Sequence, residues 1–290
     1  MLKYPYYTIK DHFFMKTYGY EQIADALGRL IDGGLRCVEP QAAALLNTAA
    51  AKETCEYARW ALNMIKDNAE IAERDGCFAC QDCGLAMVFA TLGREAALTC
   101  DLSDAINEGV RRGYRDARKS AAHPLTRLNT GDNTPAVIYT NITDGDGLVL
   151  EWLAKGAGSE NMSAVYMLTP SKGEDGIVSC VADCMKKAGA NPCPPVVLGI
   201  GIGGTMDKAA VLSKRALLRP TGAPSADERA AALEKRILDE INGLNIGAQG
   251  LGGDTTALAV HVETYPTHIG MLPVAITVQC HSVRHGKIIL

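Results

Sequence analysis

The chain has 290 residues, 47% of them hydrophobic and 21% charged, with 29 basic against 33 acidic side chains and a formal net charge of −4. That composition supports a full hydrophobic core and offers no attraction for nucleic acid or an anionic membrane surface. The longest apolar runs, such as 274–278, are far too short to cross a bilayer, and the opening Met1-Leu-Lys-Tyr-Pro-Tyr-Tyr7 lacks the apolar stretch of a signal peptide, so a cytoplasmic protein is expected.

Residues 1–75 read as a helical N-terminal lobe. One helix covers 20–30, and Pro40, suited to a first helical turn, opens a long alanine-rich helix reaching about residue 68. From Gly76 the texture changes to short apolar strands, glycine turns and amphipathic helices. A helix over 103–122 sets Ile106, Val110 and Tyr114 on one face. Strands are expected at 136–140, 148–153, 164–168, 196–200, 257–263 and 274–279, the last led in by Pro273. Helices fall at 174–188, 206–218 and 225–244, the last opened by a capping box of Ser225 and Glu228. Alternating strands and helices predict an α/β fold, with the helical lobe followed by a mixed, largely parallel α/β body over 76–290. No internal repeat, low-complexity tract or clear linker is visible.

Ten cysteines need a role, and in a reducing compartment free, catalytic or metal-binding thiols are the reading to prefer over disulfides. Cys180 and Cys184 share a helix face with Ile177, Val181 and Met185 and read as core thiols, as do Cys37, Cys55 and Cys100. Three others sit differently. Cys80 opens Cys-Gln-Asp-Cys-Gly84; Cys193 is flanked by Pro192, Pro194 and Pro195; Cys280 ends an apolar strand and is followed by His281 and Arg284. Three thiolates from distant segments can hold an iron–sulfur cluster and leave one iron without a protein ligand, a Lewis acid rather than an electron relay. The run Cys77, Cys80, Cys83 has the first two spacings of a bacterial ferredoxin, but Met87 stands where the fourth cysteine is needed.

Gly199-Ile-Gly201-Ile-Gly203-Gly204 contains a dinucleotide fingerprint between a strand and a helix. The acidic residue expected about twenty positions later is missing, because 219–227 is a proline-glycine loop entering a helix. The glycines are better read as letting backbone pass close to a bulky group or another segment. A second cluster lies at 245–253, and these two loops together with Lys155-Gly-Ala-Gly-Ser-Glu160 make anion recognition by backbone amides attractive, which points to a small acid as substrate.

Several blocks together carry a resemblance: Cys80-Gln-Asp-Cys-Gly84, Asn129-Thr-Gly-Asp-Asn-Thr-Pro135, Lys155-Gly-Ala-Gly-Ser159, Cys193-Pro-Pro195, 199–208, 245–253 and Gln279-Cys-His281. In this order they resemble the α subunit, or N-terminal part, of the class I iron–sulfur-dependent fumarase and L-tartrate dehydratase family, over most of the chain from Asn68 through Arg284. The resemblance implies a [4Fe–4S] cluster held by Cys80, Cys193 and Cys280. It implies Gln81 and Asp82 as catalytic and substrate-binding residues, with Arg118, Gly156 and Gly158 as further substrate contacts. Two departures are visible: Cys83 stands where the family has threonine, and Asp254 where relatives often carry lysine.

From the residues alone, Asp82 could equally be a turn-capping carboxylate before Gly84. Arg118, among Arg111, Arg112, Arg115 and Lys119, could be part of a solvated basic helix face. His281, beside Cys280, is the histidine most suited to support the site. The family's C-terminal swivelling domain would begin where this chain stops, which implies a β subunit and an α2β2 assembly. The reading is therefore a hydro-lyase α subunit. Fumarate hydratase comes first, L-tartrate dehydratase or mesaconate hydratase is the alternative, and a nicotinamide-dependent oxidoreductase or a non-catalytic cluster carrier is the rival.

Overall fold

The computed structural model describes residues 15–290; the opening segment, with the signal-peptide expectation that rests on it, lies outside the described residues. A short strand β1 (Lys16–Tyr18) leads into α1 (Tyr20–Arg36), α2 (Pro40–Lys52) and α3 (Glu56–Asp75). The first sheet then begins with β2 (Leu85–Gly93), followed by β3 (Ala96–Leu98), α4 (Leu102–Gly113), β4 (Val137–Thr143) and β5 (Leu148–Lys155). A one-turn helix α5 (Ala157–Glu160) opens the second half: β6 (Ala164–Leu168), α6 (Gly173–Ala188), β7 (Val196–Gly203), α7 (Met206–Ala216) and α8 (Glu228–Asn242). The chain closes with β8 (Ala257–Tyr265), β9 (Leu272–Gln279) and β10 (His285–Ile289).

The two four-stranded sheets, ordered β10-β5-β2-β4 and β6-β9-β7-β8, are built on one plan. In each, a central strand (β2, β7) is followed by helix and then by a parallel neighbour (β4, β8). A third strand (β5, β9) returns antiparallel on the other side of the central one. The fourth strand of each sheet is supplied from the other: after β5 the chain crosses over to place β6 beside β9, and after β9 it crosses back to place β10 beside β5. The α/β class holds, but within these sheets antiparallel joins outnumber parallel ones. Each has a single helical crossover, and the third and fourth strands then reverse direction. This repeat of topology leaves no trace as a repeat of sequence.

Strand alternation sorts the side chains into layers. Ala86, Val88 and Ala90 of β2 with Leu150 and Trp152 of β5 pack against Ile23, Leu27 and Ile31 of α1 and Ile106 and Val110 of α4. Leu198, Ile200, Val260, Val262, Ile276 and Val278 of the second sheet pack against α6 and α8. The opposite faces meet each other: Met87 and Leu153 from the first sheet share a cluster with Val197 and Ala259 from the second, filled by α2 and α3.

Several expectations shift. The single helix over 40–68 is two helices broken at Glu53, whose buried carboxylate accepts the amides of Thr54, Cys55, Asp254 and Thr255. The helix over 103–122 stops at Gly113, with Tyr114 fully buried behind it. The last helix is capped by Asp227, which accepts from Ala230 N, and not by the Ser225 capping box. Strand β2 itself was not anticipated; it is buried on both faces and shows no alternation. Cys37, Cys55 and Cys100 are half-buried rather than core thiols, whereas Cys180 and Cys184 are buried as read.

Candidate active site at the strand crossovers

The shared plan brings four segments to one end of the sheets. Cys80 and Cys193 lie just ahead of the two central strands β2 and β7, in equivalent places. Cys280 begins the crossover from β9 to β10, and Gly156–Glu160 forms the crossover from β5 to β6. Cys193 takes a left-handed backbone (φ 54°), a conformation a β-carbon disfavours, and Gln249 holds the next residue by donating its N and Nε2 to Pro194 O at 2.8 and 2.9 Å. Burial, then the nearness of Cys80 and Asp82, pushes the Cys193 thiol up. Burial also pushes Cys280 up, with Cys80 adding to the rise and Arg284 opposing it. Cys80 therefore lies within the electrostatic reach of both.

Asp82 is interlocked with the neighbouring crossover. Its Oδ1 accepts Gly84 N at 3.0 Å and its Oδ2 accepts Ala157 N at 2.7 Å. A β-carbon on Gly84 (φ 76°) would stand 2.9 Å from the Lys155 backbone, and one on Gly156 would stand 3.0 Å from Asp82 Oδ2. Only glycine lets the two segments close to this distance. Gly158 lies over Asn191, two residues before Cys193. Gln81 is exposed and makes no side-chain hydrogen bond among the described residues. Arg118 is also exposed, without an ion-pair partner among them, and its backbone lies against the Cys83 thiol. The Cys83 thiol itself donates to Cys80 O at 3.8 Å, a length that suits sulfur and not a hydroxyl.

Buried cations surround this cluster of groups. Lys155 is 5% exposed; its Nζ donates to Ser159 Oγ at 2.8 Å and Gly156 O at 3.2 Å and lies 3.4 Å from Glu160 Oε2, which also pairs with Lys214 of α7. Burial pushes the Lys155 ammonium down to about 8, with Glu160 holding it up. Arg284 is 1% exposed and donates from Nη2 to Asp82 O at 2.8 Å, while its Nη1 has no partner. His281 is pushed down to about 4, first by burial and then by the Arg284 charge, so it is neutral beside Cys280.

Among the described residues, no three His, Cys, Asp or Glu side chains converge tightly enough to share one metal ion. A cubane does not ask this of its ligands, because each thiolate holds a different iron. Two free thiols each within the field of a third, Cys80, with the unpartnered guanidinium N–H of Arg284 nearby, form a donor set suited to an anionic cluster rich in acceptor sulfurs.

The profile of the fumarate hydratase (Fumerase) family matches residues 29–289. The chain belongs to the fumarate hydratase family. Membership makes it a hydro-lyase. Three relatives share one description. A Methanocaldococcus jannaschii protein, provisionally described as an L(+)-tartrate dehydratase subunit alpha, is 43% identical over 253 residues, covering 83% of this chain and 88% of its own. The L(+)-tartrate dehydratase subunits alpha of Escherichia coli K12 and Shigella sonnei are each 34% identical over 218 residues, covering 73% of this chain and 72% of theirs. These names favour the tartrate alternative over the fumarate hydratase placed first by the sequence reading.

The nicotinamide reading loses its footing here. Gly199 and Gly201 lie inside β7, where β-carbons would meet Ser213 O at 2.1 Å and Ala209 O at 2.0 Å. They are the seat of α7, not a phosphate loop. Of the three glycine segments read as anion binders, the Lys155–Glu160 crossover joins the site; the 245–253 loop braces Pro194 through Gln249 and packs Gly253 against Glu53. The sequence reading notes Arg284 and Lys155 but gives neither a role. An arginine four residues after Cys280 and a lysine leading into Gly-Ala-Gly were the available signals.

Proposed function

We propose that this chain is the cluster-bearing α subunit of a hydro-lyase acting on a small hydroxy-dicarboxylate, with L-tartrate as substrate and oxaloacetate as product. The observation that carries the reading is Asp82, held by the Gly156 crossover beside Cys80 and within reach of Cys193. In the reaction one carbinol loses its C–O bond and the other its C–H bond. Hydroxide and proton leave together as water, and the enol left behind becomes the keto acid. Cys80, Cys193 and Cys280 would hold a [4Fe–4S] cluster, which when bound supplies a Lewis-acidic iron for the hydroxyl and carboxylate.

The chain's own residues supply position and proton. Asp82, fixed at both oxygens by amides, exchanges a proton with the hydroxyl or water at the reacting carbon. Gln81 and Arg118, exposed and unengaged, bind the carboxylates, Arg118 in the two-pronged manner its guanidinium favours. Gly156 and Gly158 give the substrate a surface free of side chains.

The support for a partner is chemical. A dicarboxylate beside an anionic cluster needs more positive charge than Arg118 offers, since Lys155 and Lys214 are paired with Glu160 and Arg284 is buried against Asp82 O. Leu125 (87% exposed) and Leu128 (72%) stand out on the segment after Arg118, apolar surface suited to cover. The relatives' names as alpha subunits point the same way. We therefore propose a β subunit that closes the site, in an α2β2 assembly, within the cytoplasm. Among the described residues no helix is long and apolar enough to cross a membrane.

The test is anaerobic reconstitution with the partner subunit and assay against L-tartrate, fumarate and mesaconate. Oxaloacetate formation from tartrate that needs both chains is the expected result. Preferential turnover of fumarate would restore the first sequence reading, and full activity of this chain alone would refute the divided site.

A further inference from the structure

Arg284 poses an electrostatic problem. Its guanidinium is permanently charged, and the residue is among the largest fully buried ones in the chain. Its hydrogen-bond partners are two backbone carbonyls, Asp82 O at 2.8 Å and Ser282 O at 3.4 Å. No carboxylate lies within ion-pairing distance among the described residues, and Nη1 is buried with no partner at all. Asp82, whose carbonyl accepts from Arg284, has already committed its carboxylate, Oδ1 to Gly84 N and Oδ2 to Ala157 N. A buried charge left without an opposite one is among the most destabilising features a fold can carry.

The groups around this charge are those of the cysteine site. Through Ser282 O, which accepts from its Nε, Arg284 is set against Cys280, whose Sγ lies 4.0 Å from the same carbonyl. Its position is set from both sides, by Ser282 in its own crossover and by Asp82 two residues after Cys80.

We infer that Arg284 is the built-in counter-charge of the iron–sulfur cluster, with its free Nη1–H directed at a cluster sulfide or the Cys280 thiolate. A cubane with three thiolates is a net anion, and its sulfurs accept hydrogen bonds, so it answers both the missing charge and the missing acceptor. The inference rests on the proposed function for the cluster's presence. It adds a residue whose role lies in holding and tuning the group rather than in touching substrate. Arg284 is thus a positioning residue.

The experiment compares anaerobically loaded wild-type, Arg284→Met and Arg284→Lys proteins by iron and sulfide content, rate of cluster loss to a chelator, and midpoint potential. Arg284→Met should lose its cluster roughly tenfold faster or more, and its potential should move negative, because a cation favours the more reduced cluster. Arg284→Lys, which keeps the charge but not the fork, should recover most of the potential. In iron-free protein the sign reverses: Arg284→Met should melt no lower than wild type. Equal loss of melting temperature with and without cluster, at unchanged potential, would make Arg284 a packing residue and overturn the inference. Should Arg284→Met fail to fold, wild-type protein labelled with 15N-arginine decides. Nitrogen or exchangeable-proton coupling to the reduced cluster supports the inference, and its absence overturns it. Wild-type protein that binds no cluster would instead refute the proposed function.

Discussion

In the first sheet the central strand is approached through Cys80-Gln81-Asp82 and runs Leu-Ala-Met-Val-Phe, with side chains filling both of its faces. In the second, the equivalent strand is approached through Cys193-Pro194-Pro195 and runs Val-Val-Leu-Gly-Ile-Gly-Ile-Gly, with one face reduced to hydrogen at Gly199 and Gly201. The common topology explains why a thiol stands at the same place ahead of each. The difference explains the division of labour. On the first sheet the approach carries Asp82, the acid proposed to move the proton. On the second, the bare face lets α7 settle onto the strand, which brings Lys214 to Glu160 and so steadies Lys155 beneath the crossover that holds Asp82.

The comparison breaks most severely if the two approaches are not equivalent as cluster ligands. Cys80→Ser, Cys193→Ser and Cys280→Ser should each abolish stable cluster binding, whereas Cys77→Ser and Cys184→Ser should leave iron and sulfide content near wild type. Full iron content in Cys193→Ser would show that the second approach holds nothing. Next in size is the chemical difference between the sheets. Asp82→Asn should keep the cluster and lower kcat by about 10²–10⁴-fold, since the amide keeps the shape but cannot exchange the proton. Turnover close to wild type would reduce Asp82 to a capping residue.

The glycines give a finer contrast. Gly201→Ala would place a β-carbon 2.0 Å from Ala209 O and should cost about 3 kcal/mol by chemical denaturation. Gly158→Ala, whose β-carbon would rest 3.6 Å from Asn191 O, should leave stability unchanged and raise KM instead. A Gly201→Ala protein as stable as wild type would mean the bare face of β7 is not what seats α7.

The smallest effect concerns acid, behind the second sheet. His261 is held neutral, its Nδ1–H donating to Ala216 O at 3.0 Å while Nε2 accepts Gly222 N at 3.0 Å, and burial pushes it down to about 4. The unfolded chain, with its histidine near 6.5, takes up the proton first. Stability from this group is therefore full above about 6.5 and is lost as pH falls toward 4. The loss at pH 5 should be roughly 2 kcal/mol, and His261→Gln should flatten that part of the curve.

What the sequence revealed of this arrangement follows from how local each signal is. The helices at 174–188 and 206–218, the strand after Cys193 and the strand before Cys280 rest on short-range pattern and were legible. The break at Glu53 was not, because what ends the helix is a carboxylate capping amides from residues 254 and 255, some two hundred positions away. Strand β2 was hidden because burial on both faces erases alternation. The exchange of fourth strands between sheets is likewise invisible in one dimension, and it is this exchange that sets Gly156 against Asp82 and Arg284 beneath it. The candidate site residues could be named from motifs; their interlock could not.

The account stands on three protein thiolates leaving one iron for substrate, and Mössbauer spectroscopy of 57Fe-loaded protein, in complex with its partner subunit, tests this most directly. Addition of L-tartrate should shift the signal of one iron in four and leave the other three unchanged. A spectrum indifferent to tartrate at all four irons would contradict it.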